Sequence, residues 1–253
     1  MRKLIFLICL IVEFTQSIQA GLKMSVMLTP EQTDSLKLVE LPSIGLALEL
    51  GGDSLMVIGA ETMPPLHIPA YEGARNLIAT DSTMYCSEGH YIYAISPGGL
   101  DRTEVAVLDN DQFYLYPANG STFLVVTTDE LHADCLLFDP VAGVYTEIIS
   151  IDSPIFKAVA NDEHILVWSG NHILTVGENG QAVPIISDET IRDMVLAPSG
   201  LFVATDDGVL LFNSPVEAKV FCELPIQRLW YINETLYLLT DTGYLLALYS
   251  EPF

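Results

Sequence analysis

Positive charge is scarce in this chain of 253 residues, which has 10 Lys and Arg against 33 Asp and Glu and a formal net charge of −23. A surface of that sign repels nucleic acid and anionic lipid, so neither is expected as a partner. Divalent cations, basic proteins and neutral ligands are compatible with it, although high solubility alone also explains an acidic surface. The composition makes no prediction about oligomeric state.

Long apolar runs are absent after the first twenty residues. The segment MRKLIFLICLIVEFTQSIQA begins with Arg2 and Lys3, continues with the apolar run 4–12 and ends on the small Ala20. This order of basic, apolar and small residues is typical of a secretory signal peptide, and the apolar run is too short for a membrane span. We therefore predict a secreted or periplasmic protein that is cleaved near Ala20 and has no membrane span.

Cysteine is also sparse, and three of the four cysteines follow the leader: Cys86, Cys135 and Cys222. Each lies in a stretch where apolar residues alternate with others. An odd number of widely spaced cysteines does not indicate a disulfide framework. We expect buried, unpaired thiols.

Recognisable catalytic motifs are missing. The sequence contains no G-x-S-x-G elbow, no H-E-x-x-H motif, no phosphate-binding loop and no glycine-rich dinucleotide fingerprint. We therefore predict that the protein is not an enzyme and has no cofactor, with a divalent cation as the one compatible ion.

A repeated unit takes the place of these motifs. The stretch LFVATDDGVLLF at 201–212 returns as LYLLTDTGYLLAL at 236–248. Six copies of a polar turn, a short strand, a second polar turn and another strand can be aligned, with first turns at 51–54, 80–83, 119–122, 161–164, 197–200 and 232–235. Units of this length that form four-stranded meanders are typical of β-propellers. The pattern predicts an all-β fold, a single β-propeller of six four-stranded blades.

The two ends of the chain suggest how the ring closes. The last unit shows only three strands, and the segment SLKLVEL at 35–41 precedes the first unit. We predict that this N-terminal strand completes the sixth blade and leaves no free sheet edge. The predicted domains are a signal peptide at 1–20, an N-terminal segment with the ring-closing strand at 21–42, and the propeller at 43–253. Five blades with an irregular cap is the alternative, because the first unit is short and its outer part, MPPLHIPAY, is rich in proline.

A family resemblance appears in the last two units. In PSGLFVATDDGVLLFNSP, a set of five residues matches the repeat of two-component regulator propellers: Gly200, Ala204, Thr205, Asp206 and Gly208. A second, less complete match comprises Leu236, Thr240, Asp241 and Gly243, so the resemblance is clear over 197–248. It implies a propeller fold and ligand sensing. It does not imply kinase signalling, because the family chains are far longer and continue into a membrane span and signalling domains.

The TDDG segment has two interpretations. Asp residues ahead of a glycine suit a tight hairpin, which is the interpretation we favour. A calcium loop of the EF-hand type would need alternating acidic ligands and a closing Glu, which LFVATDDGVLLFNSPVE does not supply.

The usual path of a propeller chain brings the second turns and the entrances to the innermost strands to one face. Four of the eight Lys and Arg after the leader lie at such entrances: Arg75, Lys157, Arg192 and Arg228. The second turns of the last two units add Asp206, Asp207 and Asp241. One hypothesis is that these seven residues bind a small anionic or polar ligand, since Arg suits bidentate recognition of carboxylate or phosphate. The alternative is that the basic residues pair with nearby acids such as Asp193 and Glu189 and only hold adjacent blades together.

Three histidines recur in the second turns of the second, third and fourth units: His90, His132 and His172. They could ligate zinc or copper only if they converged on one ion. Turns on neighbouring blades usually lie too far apart for that, so we predict no metal site and keep these histidines as weak candidates.

The function predicted from these observations is that of an exported recognition module. A protein or a small polar ligand would dock on the face that carries the second turns. The alternatives are a metal-assisted hydrolase or lyase with its site at the mouth of the central channel, and a structural component of the cell envelope.

Overall fold

The computed structural model describes residues 22–33, 37–41, 45–51, 54–58, 66–80, 83–129, 131–161, 163–177, 182–186, 190–214 and 217–250. The predicted signal peptide and Glu189 lie outside the described residues. The chain forms two compact units, one of residues 34–188 and one of residues 1–33 with 189–253.

The larger unit contains four antiparallel sheets of four strands each. Its strands are β2 (Lys37–Leu41), β3 (Gly45–Gly51), β4 (Ser54–Val57), β5 (Leu66–His67), β6 (Arg75–Ala79), β7 (Met84–Glu88), β8 (Tyr91–Ile95), β9 (Arg102–Val107), β10 (Phe113–Pro117), β11 (Phe123–Thr128), β12 (Ala133–Asp139), β13 (Val144–Ile151), β14 (Ile155–Ala160), β15 (Ile165–Ser169), β16 (His172–Val176) and β17 (Ala182–Ile186). They pair in chain order, four at a time, as the first to the fourth sheet. A short 3-10 helix, Pro69–Tyr71, follows β5.

The smaller unit contains the fifth and sixth sheets. Its strands are β1 (Leu22–Leu28), β18 (Ile191–Ala197), β19 (Gly200–Thr205), β20 (Val209–Ser214), β21 (Glu217–Cys222), β22 (Ile226–Ile232), β23 (Thr235–Thr240) and β24 (Leu245–Ser250). The fifth sheet is β18–β21, and the sixth is β22–β24 with β1 at its outer edge. A single turn of helix, α1 (Pro30–Thr33), follows β1.

The second strands of the third and fifth sheets are buried on both faces. In β11 the four residues from Phe123 to Val126 are fully buried, and in β19 the five residues from Leu201 to Thr205 are buried. The outer strand β13 is exposed at four of its eight positions instead. Apolar side chains of consecutive sheets within a unit pack face to face, so a core layer lies between each such pair.

The three cysteines that follow the leader are buried and unpaired, as predicted. Burial raises the pKa of Cys135 to about 12 and that of Cys86 and Cys222 to about 11. A thiol held in its neutral form behaves as a small apolar side chain and is a poor nucleophile.

The N-terminal strand does complete the last sheet, but the predicted segment was wrong. β1 pairs with β24 from Leu22↔Ser250 to Leu28↔Leu245. Met24 and Val26 of β1 pack on the core between the fifth and sixth sheets, which explains the choice of partner. Residues 37–41, predicted for this role, form β2 and pair with β3 in the first sheet.

The same finding corrects the alignment of the first unit. Residues 51–54 were predicted as its first turn. Gly51 ends β3 and Ser54 begins β4, so this segment falls at the junction of the second and third strands. The connection from β2 to β3, the first of this unit, lies outside the described residues. The predicted spacing of this unit was short because it was counted from the second connection and not from the first. In the described part of the proline-rich segment, Leu66–His67 form the outer strand β5.

Among the described residues, no helix is long and apolar enough to cross a bilayer.

Candidate functional site at the second turns

The TDDG segment forms the tight turn between β19 and β20. The backbone N–H of Thr205 donates to the carbonyl of Gly208 at 2.7 Å, and the Thr205 hydroxyl donates to the same oxygen at 3.1 Å. Gly208 has a φ of 145°, a value that side-chain-bearing residues rarely adopt. Asp206 and Asp207 are exposed at the tip of the turn.

Arg192, at the start of β18, connects this turn with the equivalent turn of the sixth sheet. Its Nε donates to Asp206 Oδ1 at 2.6 Å and its Nη1 donates to Asp241 Oδ1 at 2.5 Å. The hydrogen bonds to Asp241 and then to Asp206 raise the pKa of Arg192 further above its usual value. Three of the predicted site residues therefore meet in one ion-paired cluster, with two guanidinium nitrogens already occupied.

Asp193, the next residue, performs a separate task in the interior. Its side chain is 1% exposed. Oδ2 accepts from the backbone N–H of Leu229 in β22 at 2.7 Å, and Oδ1 accepts from the N–H of Met194 at 2.9 Å. Asp193 thus links the first strands of the fifth and sixth sheets through the backbone N–H of Leu229.

A related link joins the second and third sheets. Asn76, whose φ is 50°, donates from Nδ2 to the carbonyl of Phe113 in β10 at 3.0 Å and to the Ser87 hydroxyl at 2.8 Å. A polar side chain near the start of a first strand therefore reaches the first strand of the following sheet in both units.

A β-bulge explains why the predicted basic residues are not equivalent. In the fourth, fifth and sixth sheets, the pairing of the first strand with the second skips one residue: Phe156, Arg192 and Gln227 respectively. The residues after the bulge are Lys157, Asp193 and Arg228. Arg192 lies at the bulge itself, and Arg75 lies at the paired position before the irregularity of β6. The four basic residues occupy three different register positions, and Arg75 and Arg228 are exposed.

His132 is at the centre of a second polar cluster, in the third sheet. Its Nδ1 lies 3.3 Å from Asp152 Oδ1, and its Nε2 lies 3.2 Å from both Asp134 Oδ1 and the Ser150 hydroxyl. Asp129 accepts the backbone N–H groups of Leu131 and His132 and so closes the turn. The hydrogen bond to Asp152 is the main reason that the pKa of His132 is raised.

The sequence analysis identified His132 but missed Ser150 and Asp152. Ser150 lies directly opposite Asp134 in the β12–β13 pairing, 16 residues away along the chain. Only the register of that pair brings the two together, and no local motif signals it.

The chain of contacts from Ser150 through His132 to Asp152 has the order of a Ser-His-Asp triad. Two features differ from a working triad. The Ser150 hydroxyl donates to Asp134 Oδ1 at 2.7 Å, so its proton is not directed to the imidazole. The Asp152 side chain is fully exposed, whereas the triad carboxylate is buried and orients the histidine. The cluster is an imidazole between two carboxylates, an arrangement that favours the imidazolium form.

An open cavity of about 280 Å³ lies beside this cluster, and we call it the His132 cavity. It is lined by the connection from β9 to β10 and by the second turn of the third sheet: Leu108, Asp109, Asn110, Thr127, Thr128, Asp129, His132, Asp134 and Leu136. The lining has three carboxylates and no Lys or Arg, so its field favours neutral or cationic groups.

The other two candidate histidines are not lining residues, although His90 contacts Leu108, which is one. Nδ1 of His90 lies 3.1 Å from the carbonyl of Leu108, and His172 is exposed at the start of β16. Within the ranges that the structure describes, no group of three or more His, Cys, Asp or Glu side chains could hold a metal ion.

We expect Arg192→Gln to lower the free energy of unfolding by at most about 1 kcal/mol, because the ion pairs are largely exposed and screened by solvent. The loss should shrink between 0.05 and 1 M NaCl, where the Debye length falls to about 3 Å. Urea unfolding at both salt concentrations measures it. Arg228→Gln is the matched control and should change the free energy of unfolding at neither salt concentration. Equal effects of the two variants would contradict a stabilising role for the ion pairs of Arg192 with Asp206 and Asp241.

The fold defined by these sheets is a β-propeller, as predicted. No family model and no curated protein sequence matches the chain. Solved structures that resemble it include a protein named as a gluconolactonase, with a TM-score of 0.62 and 10% identity over 94% of this chain and 96% of that one. Virginiamycin B lyase from Staphylococcus aureus has a TM-score of 0.58 and 14% identity, with coverages of 85% and 80%.

The predicted resemblance to two-component regulator propellers has a structural counterpart. The extracellular domain of the hybrid two component system BT4673 from B. thetaiotaomicron matches with a TM-score of 0.54 and 13% identity over 90% of this chain. This chain spans 38% of the length of that domain. At these identities the likeness shows the fold alone.

Proposed function

We propose that this protein is an exported recognition module that binds a small polar ligand in the His132 cavity. The observation that carries the proposal is a half-open cavity of about 280 Å³ that is bounded by a second turn and the β9–β10 connection and carries several polar side chains. Export is supported by the predicted signal peptide, and an extracellular domain is among the proteins that share the fold.

The charge of the cavity selects among ligands. The carboxylates of Asp109, Asp129 and Asp134 would repel an anionic group in the cavity. The positive charge of His132 does not offset this repulsion, because two carboxylates already flank it. A neutral or cationic polar molecule fits this lining better than an anion. Binding of an anion at Arg75, Lys157 and Arg228 stays a separate prediction, and Arg192 is committed to Asp206 and Asp241.

Calorimetric titration with glucose, glucosamine and glucuronate tests the proposal, because the three sugars share a ring and differ in charge. We expect glucosamine to bind most tightly and glucuronate least. Asp134→Asn should weaken glucosamine binding about fivefold or more, since it removes one carboxylate of the lining. Glu104→Gln, an exposed acid on the outer strand β9, is the control. Binding that both variants leave unchanged would exclude this cavity.

A second candidate is an enzyme. Ser150, His132 and Asp152 lie in the order of a triad, although the Ser150 proton is directed to Asp134, and a fold shared with a lyase permits catalysis. Metal analysis of the purified protein and turnover of a nitrophenyl ester distinguish it. A stoichiometric ion with chelator-sensitive turnover, or turnover abolished by Ser150→Ala, would favour catalysis over recognition.

His132 should make the site depend on pH. Its folded-state pKa is raised, so the imidazolium contributes stability that is fully present below the unfolded value of about 6.5. That contribution is lost as the pH rises through the higher folded-state pKa. An NMR titration of the His132 ring protons should show the raised value, and Asp152→Asn should lower it. An unchanged titration in Asp152→Asn would show that Asp152 does not hold the imidazolium.

A further inference from the structure

A second cavity lies at the opposite ends of the same strands, between the third and fourth sheets. We call it the Ile148 groove. Its volume is about 390 Å³, within the range of small-molecule sites. It is lined by the first turns of both sheets and by parts of β12, β13 and β16: Ala118, Asn119, Thr122, Leu137, Thr146, Glu147, Ile148, Ala160, Asn161, Glu163, His164, Ile165, Val176 and Gly177. It shares no residue with the His132 cavity.

The floor of the groove is apolar. Leu137, Ile148 and Ile165 are only partly buried, and they pack on the core cluster between the third and fourth sheets. The core is therefore accessible from the groove along one side. An apolar group that entered would remove these side chains from water without displacing strong hydrogen bonds.

A β-bulge shapes this lining. Cys135 pairs with Ile149 and Leu136 with Glu147, so Ile148 is the extra residue of β13. Strict alternation would send consecutive residues of β13 to opposite faces, yet Glu147 and Ile148 both line the groove. Bulges often redirect side chains beside functional sites. Here the bulge sets a carboxylate next to an apolar side chain.

The rim of the groove is acidic. Glu147 is exposed, and the Glu163 side chain is 82% exposed, with its carboxylate 3.9 Å from His164 Nε2. No Lys or Arg lines the groove. A ligand that complements both parts needs an apolar body and a positive charge.

We propose that the Ile148 groove binds small amphiphilic cations, with the apolar body against Leu137, Ile148 and Ile165 and the cationic group at Glu147 and Glu163. This site is independent of the His132 cavity, so either can fail without the other.

Three probes with the same six-carbon chain test the groove: hexyltrimethylammonium, 1-hexanol and hexyl sulfate. NMR chemical-shift titrations of the wild-type protein should rank their affinities in that order and shift the amides of Ile148 and Ile165. We expect the cation to bind about fivefold more tightly than the alcohol. Equal affinities, or shifts confined to other residues, would overturn the proposal.

Two sets of variants separate charge from shape. The double variant Glu147→Gln with Glu163→Gln should bind the cation and the alcohol about equally, and its affinity for the alcohol should be unchanged. Glu72→Gln with Glu104→Gln removes the same net charge elsewhere and should keep the preference. A preference that survives in the first pair would mean that the overall charge of −23, and not the groove, attracts the cation.

Ala160→Leu fills the groove with a larger side chain. It should weaken the binding of the cation and of the alcohol alike by at least about fivefold, since the leucine occupies the apolar floor. Ala118→Leu tests the same point from the other wall if Ala160→Leu does not fold. Binding that persists in a folded filling variant would exclude the groove.

Discussion

Replacing Gly208 by alanine is expected to destabilise the protein by roughly 3–5 kcal/mol. A Cβ at this position would lie 2.1 Å from the carbonyl oxygen of Cys222 and 3.0 Å from the Cα of Glu223. Both are backbone atoms, so no flexible side chain can move aside. The φ of 145° adds strain, because it belongs almost exclusively to glycine. Chemical denaturation followed by circular dichroism measures the loss.

Gly170→Ala provides the matched control. Gly170 also has a positive φ, 57°, but a Cβ there would have no neighbour within 4 Å. Its cost should be limited to about 1–2 kcal/mol for the left-handed conformation. If Gly208→Ala lowered the free energy of unfolding no more than Gly170→Ala, this would contradict the close approach of β21 to the TDDG turn.

Removing the Asp193 carboxylate should have the second largest effect. Asp193→Ala leaves the buried N–H groups of Leu229 and Met194 without this acceptor, and we expect a loss of roughly 2–4 kcal/mol. Asp193→Asn keeps one acceptor oxygen and should cost less. Thermal and urea unfolding measure both variants.

Asp207→Ala is the control for Asp193→Ala, because Asp207 is exposed in the adjacent turn. Its effect should stay within about 0.5 kcal/mol. A loss in Asp193→Ala no larger than this would show that the link from β18 to β22 contributes nothing to stability.

Arg192 and Asp193 show how neighbours in sequence come to act differently. The bulge at Arg192 separates the two side chains, so that one lies at the surface between Asp206 and Asp241 and the other is buried against Leu229. A salt-sensitive surface contribution and a salt-insensitive buried one are therefore expected from adjacent residues.

The sequence predicted the fold well where its units are regular. Short turns rich in Asp, Asn and Gly alternate with apolar strands from residue 80 onward, and the first turns at 80–83 and 119–122 lie where predicted. The prediction failed at the first unit, where 51–54 was taken as a first turn and 35–41 as the closing strand. The sequence of a single strand with alternating apolar residues does not show which strand it pairs with. Because β1 and β2 both have that pattern, the wrong one was chosen.

The candidate site was less predictable than the fold. Arg192, predicted at the entrance to an innermost strand, contacts Asp206 and Asp241, predicted in second turns. The bulges that make Arg192, Lys157 and Arg228 non-equivalent have no clear sequence signal. Ser150 and Asp152 were missed because they meet His132 only across the β12–β13 pair.

The amino-acid sequence alone establishes the repeat, the all-β fold, the tight TDDG turn and the buried thiols. Each of these depends on turn chemistry or on the alternation of apolar residues over a few positions. Only the tertiary structure shows which groups contact Asp193 and His132, that β1 is the closing strand, and where the two cavities lie. A single bulge or a one-strand shift changes every contact across a sheet, and such register choices result from packing between sheets.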